Sequence, residues 1–291
     1  MIGQLLVGIF LGTAGFNLVH PDILVEDFSE IGVILLMFLA GIESDLSLLK
    51  KYFRPGMYVA VLGILFPVLL GTLGGLVFQI QLNESFFLGL ILAATSVSIS
   101  VEVLKELNVI NTKEGSAILG ASVVGDILVV LIVSLSMSYL VDFIGLSSVI
   151  GAFFTGVAIG QTKDWKDVQV NVEAIGYAVF IPVFFVSIGL EVSFAGISRQ
   201  LLFILLLTII AIASKLAGGF IGGKLAGFGN NSSLMVGSGM VSRGEMALII
   251  VQLGYQSGLV RDHYYSAFIL IILFTTLASP FLLKSFTRKI Y

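Results

Sequence analysis

The chain has 291 residues, of which 57% are hydrophobic and only 11% charged, with a mean hydropathy of +1.09. This composition excludes an ordinary soluble domain and predicts a polytopic helical membrane protein, since strands with open edges cannot face lipid. A net charge of −3 offers nothing to nucleic acid, and the lack of cysteine excludes disulfides, thiolate metal sites and thiol chemistry.

Apolar runs of spanning length predict ten helical segments, at about 2–18, 31–49, 57–80, 84–107, 114–140, 147–160, 171–190, 200–226, 232–256 and 264–285. The start, Met1-Ile2-Gly3-Gln4, lacks the basic region of a cleavable signal and is read as structure. Lys50, Lys51, Arg54, Lys105, Lys113, Lys163, Lys166, Lys224, Lys284, Arg288 and Lys289 fall at the ends between alternate segments, whereas only Arg199 and Arg261 fall on the other side. Short basic loops stay on the cytoplasmic face, so both termini are expected there. Trp165 reads as an interfacial anchor.

The chain also repeats itself at an offset of 148 residues. Ile2-Gly3, Gly8 and Gly12 recur as Ile150-Gly151, Gly156 and Gly160, and Gly41 as Gly189. Gly71, Gly74, Gly75 and Gly89 recur as Gly219, Gly222, Gly223 and Gly237. Eight of the twelve glycines in residues 1–95 land on another glycine, where chance would give about one or two. Each copy holds five segments, an odd number, so the second copy enters the membrane upside down. The expected architecture is therefore all-α, an inverted 5 + 5 repeat with copies at 1–140 and 147–291. Duplicated units in so apolar a chain point to a transporter.

Ionisable groups deep in apolar segments cost several kcal/mol and mark ion paths. Asp126 lies about twelve residues into the fifth segment, roughly 18 Å along it and near the midplane. Lys215 lies at similar depth in the eighth segment, and Arg243 and Glu245 in the ninth. The repeat pairs Thr95-Ser96-Val97-Ser98 with Arg243-Gly244-Glu245-Met246. Both are polar, helix-weakening tetrapeptides, and the inversion makes them antiparallel. Two broken helices crossing at the midplane are the expected result, with freed carbonyls and half-helix dipoles facing an ion. The alternative is that Thr95, Ser96 and Ser98 bond back to their own helix. Asp126 has a structural alternative as well, tied to neighbouring hydroxyls or to Lys215. As an ion site, a lone carboxylate there would hold a proton or a cation in alternation. His20 and His263 read as solvated loop residues, and Glu43 and Glu191 as structural helix-end residues.

The same residues carry a family resemblance. Ala93–Leu107 with its Ala-Thr-Ser-Val core, Gly120–Val130, Ile181–Glu191, Ser214–Gly218 and Gly239–Leu248 resemble, in order, the monovalent cation:proton antiporters of the sodium/proton exchanger fold. The similarity lies in the branch of NapA-type and potassium-efflux-type exchangers. It implies that Asp126 binds cation and proton, that the two broken helices complete the site, and that Lys215 pairs with an acidic residue. Two departures stand out. Gly125 occupies a position where the family usually places Asp, Asn or Gln, leaving one carboxylate. The chain is also expected to be about three helices short of the family pattern.

The sequence thus predicts a secondary transporter, not an enzyme, exchanging Na⁺ (with K⁺ and Li⁺ as alternatives) for H⁺ by alternating access. Segments 57–140 and 200–285 are the expected moving core. Asp126 is the expected carrier, Ser122, Thr95 and Ser98 its oxygen ligands, Lys215 a counter-charge, and Arg243 with Glu245 the support of the ninth helix. One carboxylate implies electroneutral exchange, and no cofactor is called for. The resemblance implies a homodimer in a bacterial inner membrane. A sodium-coupled solute symporter of related 5 + 5 fold and a shortened, non-transporting cation-binding membrane protein are the alternatives.

Overall fold

The computed structural model describes residues 2–20, 22–43, 53–140 and 146–290. Lys50 and Lys51, which enter the charge argument, lie outside them. The described residues are helical, without strands. In chain order the helices are α1 (Ile2–Leu11), α2 (Ile23–Glu43), α3 (Phe53–Val77), α4 (Leu82–Ala93), α5 (Val97–Glu106), α6 (Lys113–Leu140) and α7 (Leu146–Ile159). There follow α8 (Trp165–Ile175), a π-helical turn at Gly176–Phe180, α9 (Ile181–Glu191), α10 (Ile197–Leu225), α11 (Asn230–Gly239), α12 (Gly244–Gln256) and α13 (Asp262–Thr287).

Among the described residues five helical stretches are long and apolar enough to cross a membrane, or six if the bent pair α11–α12 is one span. Ten crossings are not established by length and composition, because several of the remaining helices are too short. The predicted boundaries shift for local reasons. The first segment stops at Leu11, where Gly12, Gly15 and Asn17 (φ 54°) turn the chain back. The second starts at Ile23, eight residues early, with its acids Glu26, Asp27 and Glu30 exposed on the added turns. The π turn directly precedes Pro182, which cannot donate to a preceding carbonyl, so the helix is locally rewound there.

The chain divides into two compact units, Met1–Leu46 with Ser134–Ser198, and Ser47–Val133 with Arg199–Tyr291. In the first, α1 packs on α9, and α2 packs on α7 and α9. These contacts run backbone to backbone. A Cβ added to Gly8 would lie 2.9 Å from Cα of Gly189, and one added to Gly156 would lie 3.0 Å from Cα of Gly41. The two pairs exchange under the 148-residue offset. The buried hydroxyls of Ser29 and Ser187 share a 2.8 Å hydrogen bond beside them.

In the second unit α3 packs on α4, α11 and α12 on α13, and α5 on α13. Here too the close contacts come in offset pairs, Gly71 with Gly89 and Gly219 with Gly237, and Gly75 with Ser85 and Gly223 with Ser233. The chemistry is not paired in this way. Where α10 carries Lys215, α3 carries Pro67, and where α6 carries Asp126, α13 carries Phe274.

Candidate ion site at two crossed helix breaks

All of the site lies in the second unit. Helix α4 ends at Ala93, and Ala94 (φ −57°, ψ 149°) and Ser96 (φ −97°, ψ 117°) are extended before α5 begins. β-Branched Thr95 and the adjacent hydroxyls weaken the helix at this point. Helix α11 ends at Gly239, and α12 resumes at Gly244 with a 48° change of direction. The two gaps touch. The Ser96 N–H donates to the Ser242 carbonyl at 2.8 Å, so each break gives the other a backbone partner. The offset would pair the Gly244 N–H with Ala94; it donates instead to Thr276 Oγ1 of α13, at 3.2 Å.

Gly244 is required on two grounds. Its φ is +53°, and a Cβ there would collide with the Ser96 side chain, reaching 2.5 Å from Oγ.

The freed C-terminal ends of α4 and α11 have polar partners. Lys215, fully buried on α10, donates from Nζ to the Ala93 carbonyl and to Thr95 Oγ1, both at 2.6 Å. The Lys215 Nζ therefore sits at the C-terminal end of α4, where the helix dipole favours positive charge. Ser100 Oγ donates to the Gly239 carbonyl at 2.6 Å, serving the C-terminal end of α11. Arg243, also fully buried, donates to the Val241 carbonyl at 2.9 Å and, through its other terminal nitrogen, to Ala211 at 2.7 Å. Ala211 lies one turn from Lys215, so both cations anchor the breaks to α10. Glu245 stands in the first turn of α12, where negative charge is favoured, and accepts from Ser96 Oγ at 3.2 Å.

The candidate carboxylate lies on α6. Asp126 is 9% exposed. Ser122, one turn earlier and fully buried, donates to Met240 Sδ at 3.8 Å. A Cβ added to Gly125 would meet nothing within 4 Å, so the missing side chain leaves open space beside Asp126.

The structure thus brings Lys215 to Thr95, Glu245 to Ser96, and Ser122 to the break that holds Arg243. Ser98 is in α5, and its side chain lies outside the described residues. Sequence reasoning missed Ser100, Thr276 and Met240. Nothing local distinguishes these three, since their role comes from contacts more than 30 residues away in the chain.

The comparisons with known proteins agree on one family. Its profile, described as sodium/hydrogen exchanger, transmembrane, matches residues 1–138 and 126–289. A Na⁺/H⁺ antiporter of Enterococcus hirae is 57% identical, with 100% of this chain and 92% of the relative aligned. A Na⁺/H⁺-K⁺ antiporter of Bacillus cereus, GerN, is 37% identical over 98% of this chain and 89% of its own. In fold, the sodium proton antiporter MjNhaP1 of Methanocaldococcus jannaschii superposes with a TM-score of 0.71, at 16% identity, over 98% of this chain and 89% of that one. The Enterococcus alignment runs over 353 positions against 291 residues here, so at least 62 of them (353 less 291) are gaps in this chain. At about 20 residues per crossing, that is about three helices' worth of internal sequence. The relatives are transporters rather than enzymes, and they lend no support to a solute symporter or a non-transporting binding protein. This integral membrane protein belongs to the sodium/hydrogen exchanger family.

Proposed function

We propose that the protein exchanges Na⁺ for H⁺ across the membrane by alternating access, with Asp126 as the shared carrier. One observation carries the reading: a nearly buried carboxylate on α6, one turn from a hydroxyl that hydrogen-bonds into the second of two helix breaks, which in turn hydrogen-bond to each other. Cation and proton compete for the carboxylate, so one leaves as the other binds. Ser122, Thr95 and Ser98 supply neutral oxygens, and Lys215 balances the charge of the site between cations while capping α4. Arg243 and Glu245 fix the start of α12. The names of the relatives favour Na⁺, with K⁺ also transported by GerN, and Li⁺ is the third candidate.

The finer architecture belongs to the same proposal. The copies at 1–140 and 147–291 are inverted five-helix repeats making ten crossings, several of them by short or broken helices. The exchange of Gly8·Gly189 with Gly41·Gly156 under the offset supports the two-fold relation. The segments 57–140 and 200–285 form the moving core. Both termini face the cytoplasm of a bacterial inner membrane, and the protein works as a homodimer in the lipid bilayer.

The test is Asp126→Asn in proteoliposomes carrying a pH-sensitive dye. Na⁺-dependent proton movement should vanish while insertion and yield are unchanged. Exchange at the parent rate in the Asn variant would reject Asp126 as carrier.

A further inference from the structure

Ser122 and Met240 form a contact that the proposed mechanism leaves unused. Both are almost fully buried, at 0% and 1% exposure, and the Ser122 hydroxyl donates to the thioether at 3.8 Å. Met240 is the first residue of the break after α11, and its N–H bonds the Gly237 carbonyl at 3.2 Å, so the break sets where the sulfur sits. The offset replaces Met240 by Leu92 and Ser122 by Leu270. The repeated frame therefore folds without this pair at the equivalent place.

We propose that Met240 is a positioning residue for the cation: its thioether holds the Ser122 hydrogen, so that the hydroxyl presents its lone pairs to an ion shared with Asp126. This rests on the reading of Ser122 and Asp126 as ligands. A hydroxyl has one hydrogen and two lone pairs, and where the hydrogen points decides what the oxygen can do. Ser122 and Asp126 are one turn apart on α6, within reach of each other. Without another acceptor, the hydroxyl donates to the helix carbonyl a turn back or to the Asp126 carboxylate, and in the second case it competes with the ion. A thioether takes the hydrogen, yet as a soft, weak donor atom it does not itself attract a hard alkali cation. Methionine's unbranched chain lets the sulfur reach that point inside a packed cluster that includes Val59, Ala121 and Val124.

The experiment is a double-mutant cycle on Na⁺-dependent proton flux in proteoliposomes, using the full chain, Ser122→Ala, Met240→Leu and the double variant. Each single variant should raise the apparent KM for Na⁺ between about two- and ten-fold, the worth of one hydrogen bond, with maximal rate held within about two-fold. The double variant should match Ser122→Ala alone, because without the hydroxyl the sulfur has nothing to orient. Met→Leu nearly conserves volume, and Met240→Ile serves as a second apolar replacement if Leu lowers yield. A packing role for Met240 predicts effects that multiply. If Ser122→Ala raises KM but Met240→Leu does not, or the two effects multiply, the orienting role is overturned and the ligand reading stands. If Ser122→Ala leaves KM unchanged, the ligand reading of Ser122 fails and the orienting role falls with it.

Discussion

The crossing makes three glycines of the second unit unequal, and alanine at each should separate the causes. At Gly125, within α6, an added methyl meets nothing within 4 Å, so the change should stabilise by about 0.5–1 kcal/mol through helix propensity. At Gly258 the methyl also meets nothing, but φ is +74°, and the left-handed conformation should cost about 1–2 kcal/mol. At Gly244 the same conformational cost is joined by collision with Ser96, and forced overpacking adds about 1–3 kcal/mol. Pushing Ser96 away also stretches its bond to the Ser242 carbonyl, worth about 1 kcal/mol. Gly244→Ala should therefore cost about 3–6 kcal/mol, a large part of the 5–15 kcal/mol typical of a whole domain. The assay is the thermal midpoint of the detergent-purified protein, followed by Na⁺-dependent proton flux at a temperature where each variant remains folded. The midpoints should fall in the order Gly125→Ala, parent, Gly258→Ala, Gly244→Ala, and only the last should lose exchange below its midpoint. A Gly244→Ala protein that melts with Gly258→Ala and exchanges at the parent rate would refute the close crossing.

Three other expectations follow from the same geometry. Lys215→Met leaves the Ala93 carbonyl and Thr95 hydroxyl without their ammonium donor, and should lower stability by about 1–3 kcal/mol as well as reduce flux; an unchanged melting midpoint would dismiss the cap. Ser100→Ala removes the donor to the Gly239 carbonyl and should cost about 1 kcal/mol, read as a modest fall in melting temperature with exchange retained. With a single carboxylate the parent's exchange should ignore an imposed membrane potential, whereas Gly125→Asp, for which there is room, should make it voltage-sensitive; a voltage-sensitive parent would reject electroneutral exchange.

The breaks were legible in the sequence because they depend on local chemistry. Thr-Ser-Val-Ser and the glycine-containing Arg-Gly-Glu-Met weaken a helix, and these tetrapeptides, expected at 95–98 and 243–246, sit against observed gaps at 94–96 and 240–243. The small displacement arises because Val97 and Glu245 are accepted into the first turns that follow. What Lys215 holds was not legible. Its depth could be counted from the helix end, but its bonds to Ala93 and Thr95 span more than a hundred residues of chain. The same is true of Thr276 and Ser100, which look like any buried hydroxyl until α12 and α11 are placed beside them. The early start of α2 was hidden by its acids, which read as a loop but lie exposed on a continuous helix.

Lys215 has a proline as its counterpart in the other half of the chain, and Asp126 a phenylalanine. A perfectly duplicated molecule that exchanged the roles of its halves would pass between two mirror states of equal energy, with the same hold on its cargo from either side. On the proposed inverted-repeat architecture the scaffold is twofold but its charges are not. On the proposed mechanism the inward-open and outward-open states therefore rest at different levels, and the apparent affinity for Na⁺ should differ between the two faces of the membrane. The driving gradients still fix the direction of net flow. The imbalance sets which face saturates first, and so the range of sodium concentrations over which each direction responds.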